Sequence, residues 1–301
     1  MKIYRSGSFL SLLFALMQSN QPCIMVAVDG SRMSHRAFDM ACALRREGEF
    51  LVVYHVSDAR KKGRLPSYFG PEHLEVEFTG KLLRARVPYP ECAVVVEERL
   101  GSDAVSGMIL ARAKAENAAT LVVGAFGRKG PTVWAVGSNT DYSLKRAKHL
   151  TLVTARPDSA MEQPQTFCVG HDGSARASAA VDYALNRARP GDRLVCIHIR
   201  SPAREARGFD PISGVRKSSE RQVERSGVEL ASVDFVFLNR DHQQTIGQQI
   251  VRAAEGEQIC ATYLVVGRDG DASVKLAERL NMGTVCDFVA KKARTTTIVV
   301  A

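Results

Sequence analysis

The sequence predicts an α/β protein made of two copies of one domain, each built on a parallel sheet, and three observations carry that prediction. The first is an internal repeat at a constant offset of 143 residues. Asp29-Gly30-Ser31 recurs as Asp172-Gly173-Ser174, His55 as His198, Leu121-Val122-Val123-Gly124 as Leu264-Val265-Val266-Gly267, and Gly127 as Gly270. A repeat of this length is a duplicated domain, because solenoid units are much shorter. The second is the alternation of short apolar runs with helical patterns in both halves. The third is that the apolar runs are nearly continuous in Val, Ile, Leu and Ala, which is the composition of strands covered on both faces.

In the first half, strands are predicted at Cys23–Asp29, Phe50–Val56, Ala93–Glu98, Thr120–Gly124 and Leu150–Ala155, with helices near Ser34–Arg46, Pro71–Ala85, Ser102–Asn117 and Ser138–Lys148. Ser34 and Ser102 are read as N-caps, and Pro71 suits a first helical turn. The second half repeats the plan. Its strands are expected at Phe167–Asp172, Arg193–Ile199, Asp234–Leu238, Thr262–Gly267 and Thr296–Ala301, and its helices near Arg176–Arg189, Arg216–Val228, Gln244–Gly256 and Met282–Arg294. The basic stretch from Ser201 to Ser219 reads as a loop leading into a helix. The resulting domain plan is an N-terminal extension over 1–21, a first domain over 22–156, a polar linker with two prolines over 157–164, and a second domain over 165–301.

Composition narrows the functional classes. A chain of 301 residues is long enough for two domains, each with its own core. Its seven cysteines stand singly, with no C-x-x-C and no zinc spacing. Cys23, Cys168 and Cys196 lie in strand-like runs and are expected to be buried and reduced. The formal charge of +9 is diffuse, densest at Arg60-Lys61-Lys62 with Arg64, from Arg204 to Arg225, and at Lys291-Lys292 with Arg294. A single aromatic residue, Phe209, falls within these patches, too few for a stacking platform, which argues against a nucleic-acid partner. Lys2 and Arg5 precede the apolar run Phe9–Met17, which resembles a signal h-region without a small-x-small cleavage site and is too short to span a bilayer. The expected location is cytoplasmic, with a targeting role for this segment left open.

One constellation carries chemistry. Gly124-Ala125-Phe126-Gly127 follows a predicted strand, and after nine residues Gly137-Ser138 opens a helix. Glycines allow backbone N–H groups to approach an anion closely, and a helix start offers unpaired N–H donors with the positive end of the dipole. Ser138, Asn139 and Thr140 add polar donors, and Arg128 and Lys129 add charge. Ligands of open parallel sheets bind at the carboxyl ends of strands where the order reverses, and Asp29, Val56 and Gly124 all lie at such ends. Asp29-Gly30-Ser31 also fits a simple turn before a helix. His55 and His198 are expected to be satisfied by backbone, since no acid or nucleophile motif accompanies them. Trp134 fits either a cover for the ligand or packing on the next helix.

The pattern G-x-x-G, nine residues, G-S, after a first strand ending V-D-G-S, resembles the universal stress protein family across both halves, as a tandem two-domain member. The resemblance implies two Rossmann-like (adenine nucleotide α-hydrolase-like) domains, each a five-stranded parallel sheet in order 3-2-1-4-5 with helices on both faces. It also implies ATP as cofactor, with or without Mg2+. Asp29 and the Val56 backbone would contact adenosine, and Gly124, Gly127, Gly137, Ser138 and Thr140 would hold phosphates, with Arg128 and Asn139 beside them. The weaker second set is Asp172, Ile199, Gly267, Gly270, Gly283 and Thr284. There twelve residues separate Gly270 from Gly283, Asp269 and Asp271 stand where the first half has Phe126 and Arg128, and Val285-Cys286 replaces Asn139-Thr140. Carboxylates near a polyphosphate are repulsive, so the first half is expected to bind nucleotide more tightly.

The leading functional expectation is an ATP-binding stress or signalling module with little or no turnover. No general base or Walker-type lysine is present and no catalytic residue is assigned, while slow ATP hydrolysis stays open. The alternative is a nucleotide-independent dimerisation scaffold. Related enzymes that attack the α-phosphate carry S-G-G-x-D-S after the first strand, and this chain reads Asp29-Gly30-Ser31-Arg32-Met33-Ser34 there. The family also implies pairing through the last strands, Leu150–Ala155 with Thr296–Ala301 inside the chain, and leaves a homodimer open.

Overall fold

Strands of mainly β-branched and aliphatic residues form the centre of each half in a computed structural model. It describes residues 4–5, 21–58, 66, 69–99, 102–130, 136–157, 164–200, 205, 208, 210, 212–269 and 282–301. The Arg60–Arg64 patch, Arg204, Trp134, Gly270, Asp271, the Phe9–Met17 run and linker residues 158–163 lie outside the described residues. The chain divides into two compact units, residues 1–143 with 149–155, and residues 144–148 with 156–301.

In the first unit, β1 (Cys23–Val28), β2 (Phe50–Ser57), β3 (Cys92–Glu98), β4 (Ala118–Gly124) and β5 (Thr151–Ala155) are all parallel, in the order β3-β2-β1-β4-β5. The register sets Ile24 beside Leu51, Leu51 beside Cys92, Met25 beside Leu121 and Leu121 beside Leu152. β1 is central, and Ile24, Met25, Val26, Leu51 and Leu121 are fully buried, as strands covered on both faces must be. A two-residue strand, Tyr4–Arg5, adds in parallel to the outer edge of β3, opposite Val95 and Val96.

The helices are α1 (Arg32–Leu44), α2 (Pro71–Arg84), α3 (Val105–Ala115) and α4 (Ser138–Arg146). In α1, Met33, Ala37, Phe38, Met40, Ala41 and Leu44 are buried on one stripe. Its cap is Ser31 rather than Ser34. The Ser31 hydroxyl accepts from the Ser34 amide at 3.2 Å, and Gly30, with φ of +80°, makes the turn that brings it there. Ser102 is likewise not a cap, because α3 begins later, after Ala104. Pro71 stands at the first turn of α2 as expected.

The second unit repeats this with β6 (Thr166–Gly170), β7 (Arg193–Arg200), β8 (Ser232–Asn239), β9 (Tyr263–Gly267) and β10 (Thr296–Val300), in the parallel order β8-β7-β6-β9-β10. Each unit therefore has the predicted 3-2-1-4-5 arrangement. Its helices are α5 (Ala175–Arg187), α6 (Lys217–Ser226), α7 (Ile246–Ala254) and α8 (Thr284–Lys292). Ser174 caps α5 as Ser31 caps α1, and Thr245 with Gln248 forms a reciprocal capping box on α7. The predicted helix over 216–228 is preceded by a π-helical turn at Ile212–Arg216 and stops at Gly227, whose φ of +65° is the left-handed exit glycine favours. Cys23, Cys168, Cys196 and Cys286 are buried, and burial pushes the thiols of Cys23, Cys196 and Cys286 up to about 12, so they pack as small apolar groups. Among the described residues no helix is long and apolar enough to cross a membrane.

Candidate functional site

At the carboxyl ends of β1 and β4 the chain reverses the direction in which successive strands are laid down, and this is the crevice where open parallel sheets take ligands. Asp29 follows β1 directly. One carboxylate oxygen accepts from the Ser31 amide at 3.0 Å and the other from the Arg128 amide at 3.3 Å. Gly127 is where it is because a side chain would collide with this carboxylate: a Cβ there would stand 2.8 Å from Asp29 Oδ2. Gly124, the last residue of β4, is needed for a different reason. Its Cβ would meet Met33 of α1 at 2.9 Å, so the glycine lets the helix start sit directly on the strand end.

The loop returns to the crevice through Gly137. Its amide donates to the Ala125 carbonyl at 2.7 Å, and its carbonyl accepts the first bond of α4, from Asp141 at 2.9 Å. The amides of Ser138, Asn139 and Thr140 then form the first turn of a nine-residue helix, where no intrahelical carbonyl is available to them. The Thr140 side chain is buried, 4% exposed, and its hydroxyl donates to the Gly124 carbonyl at 2.7 Å. That hydroxyl ties α4 to the end of β4.

Arg128 completes the arrangement. A turn closed by the Gly130 amide on the Gly127 carbonyl at 2.9 Å holds Arg128 at its corner. Its Nε donates to the Asp29 backbone carbonyl at 2.6 Å and stands 3.9 Å from the carboxylate, while the guanidinium lies 4.7 Å over the Phe69 ring. Burial lowers the Arg128 pKa and the Asp29 carboxylate opposes it; the group stays a cation at neutral pH. Phe69 rests on the Asp29-Gly30 turn, since a Cβ on Gly30 would stand 2.8 Å from it. Val56 ends on β2, beside Glu97. His55 Nδ1 bonds the Val28 carbonyl at 2.8 Å, and His198 Nδ1 bonds the His171 carbonyl at 2.7 Å, the backbone role expected of both.

The second unit reproduces the framework. The Ser174 amide bonds Asp172 at 3.0 Å, Gly173 has φ of +88°, and a Cβ on Gly267 would meet Arg176 at 2.9 Å, as Gly124 would meet Met33. The Gly283 amide bonds the Arg268 carbonyl at 3.0 Å, matching the Gly137 to Ala125 bond despite three extra residues in between. Ile199 lies on β7, and Thr284 opens α8. The lining differs. Cys286, buried, takes the place of Thr140, and His171 takes that of Val28. His171 Nδ1 accepts from the Gly173 amide at 3.0 Å, and its buried Nε2 finds no hydrogen-bond partner among the described residues. Burial pushes His171 down to about 4, with Asp172 raising it and His198 lowering it further.

A doubly wound parallel sheet with a glycine loop at its reversal point defines a Rossmann-like α/β protein in architecture. The family model described as the universal stress protein family matches residues 23–155 and 164–301, and the chain belongs to that family, with two domains in tandem. Among solved structures it is similar to a universal stress protein from Archaeoglobus fulgidus DSM 4304, with a TM-score of 0.57 at 16% identity over 92% of this chain and 95% of that one. Two other similar structures each span about half of this chain. UspA from Lactobacillus plantarum has 21% identity and a TM-score of 0.36, over 45% of this chain and 97% of that one. A universal stress protein in complex with cAMP has 24% identity and a TM-score of 0.33, over 45% of this chain and 95% of that one. No curated protein matches the sequence significantly.

Proposed function

We propose that the first unit binds an adenine nucleotide, ATP above all, and that the protein serves as a stress-response or signalling module whose partners read its nucleotide state, with little or no turnover. The observation that carries this reading is the convergence of Asp29, the Gly127-Arg128 amides and the first turn of α4 on one crevice, with a half-buried cation among them. In this reading Asp29 and the Val56 backbone hold the adenosine part. The amides around Gly124, Gly127, Gly137, Ser138, Asn139 and Thr140, together with Arg128, hold the phosphates. The donor set fits an anion. Among the described residues no group of three or more His, Cys, Asp or Glu could hold a metal ion, so in this reading Mg2+ would arrive with the phosphates.

The second unit is the weaker site in this reading. Asp172, Ile199, Gly267, Gly283 and Thr284 keep the framework, Gly270 lies outside the described residues, and Asp269 adds negative charge at the loop. Calorimetric titration of ATP into the full chain, and into a Gly127→Arg, Ser138→Ala variant, tests the proposal. Loss of a single site in the variant supports it. A folded chain that takes up no ATP leaves the alternative, a nucleotide-independent scaffold. One observation favours that alternative: Gly124, Gly127 and Gly137 are each accounted for by close approach within the protein.

A further inference from the structure

We infer that Arg128 is a latch across the crevice that makes the site selective for the phosphate tail of its ligand. This inference rests on the nucleotide reading above. Arg128 starts on the loop after β4 and ends on the residue after β1, so its side chain bridges the two walls between which a ligand has to enter. The bridge has three points. Nε donates to the Asp29 carbonyl at 2.6 Å, the backbone amide donates to Asp29 Oδ2 at 3.3 Å, and the flat face of the guanidinium covers Phe69. Phe69 itself lies against Gly30, so the latch holds the β1 turn, the segment before α2 and the glycine loop as one cluster.

Two features make this a latch rather than a fixed strut. The charge is poorly matched: the short bond goes to a neutral carbonyl, while the nearest carboxylate oxygen stands 3.9 Å from Nε. The terminal Nη atoms make no hydrogen bond with the described residues. A phosphate oxyanion gives a guanidinium shorter, charge-assisted and bidentate bonds, so it is the better partner. A ligand that needs the Asp29 carboxylate and the space beside Phe69 therefore draws Arg128 away at a cost that only an anionic tail returns. A nucleoside meets the cost and offers no replacement. A nucleoside polyphosphate meets it and receives the cation. A ligand's apparent affinity is reduced by the fraction of molecules in which the latch is closed.

The test is calorimetric titration of ATP and of adenosine into the full chain carrying Arg128, Arg128→Ala or Arg128→Lys, with thermal unfolding to show that each folds. In Arg128→Ala, adenosine is expected to bind about fivefold more tightly and ATP about tenfold more weakly, so the preference for ATP collapses from both sides. Arg128→Lys keeps the charge and loses the Nε bond and the flat stack. Adenosine should tighten while ATP stays within about threefold. Parallel weakening of both ligands, or an unchanged ATP-to-adenosine ratio, overturns the latch while leaving nucleotide binding intact. Absence of ATP binding in all three proteins overturns the nucleotide reading itself, and the latch with it.

Discussion

The two units share a frame and differ in what fills it. The same hydrogen bonds recur at both strand ends: Ser31 and Ser174 amides on Asp29 and Asp172, Gly137 and Gly283 amides on Ala125 and Arg268, and His55 and His198 on the carbonyls below them. What changes is the set of side chains around the strand ends. The first unit presents a cation, a threonine and an aliphatic Val28. The second has a thiol for the threonine, a neutral buried histidine for the valine, and Asp271 in sequence where Arg128 stands. Frame and lining are thus separable. The backbone geometry is the same in two copies whose side chains differ.

The sharpest way to break this comparison is at the glycines that end β4 and β9. If both serve helix seating, Gly124→Ala and Gly267→Ala should each destabilise the protein by about 2–3 kcal/mol, because the new Cβ meets backbone as well as side-chain atoms of Met33 or Arg176. Urea unfolding followed by circular dichroism measures this. A neutral Gly267→Ala beside a costly Gly124→Ala would show that only the first frame is tight.

His171 offers a contrast of similar size that depends on pH. In the folded chain it takes a proton only near about 4, and in the unfolded chain near about 6.5. Between those values the unfolded state binds more protons, so stability rises with pH there. It is fully present above about 6.5 and drains as pH falls toward about 4, by about 2–3 kcal/mol. His171→Val, which copies Val28, should remove that loss. Equal acid sensitivity in wild type and variant would assign the slope to other groups.

Thr140 and Cys286 give a smaller effect. Thr140→Val should cost about 1–2 kcal/mol, since the Gly124 carbonyl loses a buried 2.7 Å bond. Cys286→Thr should be neutral or stabilising. If Thr140→Val abolishes ATP binding without touching stability, the hydroxyl belongs to the ligand after all. The smallest effect is at the caps: Ser31→Ala and Ser174→Ala should cost about 1 kcal/mol each and equally, because both hydroxyls accept the same amide bond. Unequal costs would mean that the two helix starts are not equivalent.

Much of this was legible in the sequence, and the reasons are physical. Strands buried on both faces are continuous in apolar residues, and a parallel sheet needs helices between them. Continuity and alternation therefore read out the ten long strands and eight α-helices found among the described residues. The cap of α1 was misread because Ser31 and Ser34 both precede the apolar stripe, and only the extended backbone of Ser31 decides between them. Thr140 carries a related ambiguity. A polar residue after a helix start is compatible with a ligand or with a carbonyl, and the carbonyl it bonds lies 16 residues earlier. The Arg128 bridge had no sequence signal beyond charge. Its partners lie 99 residues away at Asp29 and on Phe69, and neither separation has a period to read.

The bond from the helix-opening glycine to the residue after the strand-ending glycine has a consequence for how such chains change. It clamps both ends of an interval that is three residues longer in the second copy, and the clamp is the same in both. The three-residue difference in length is therefore not transmitted to the sheet, because the bond that closes the interval is kept.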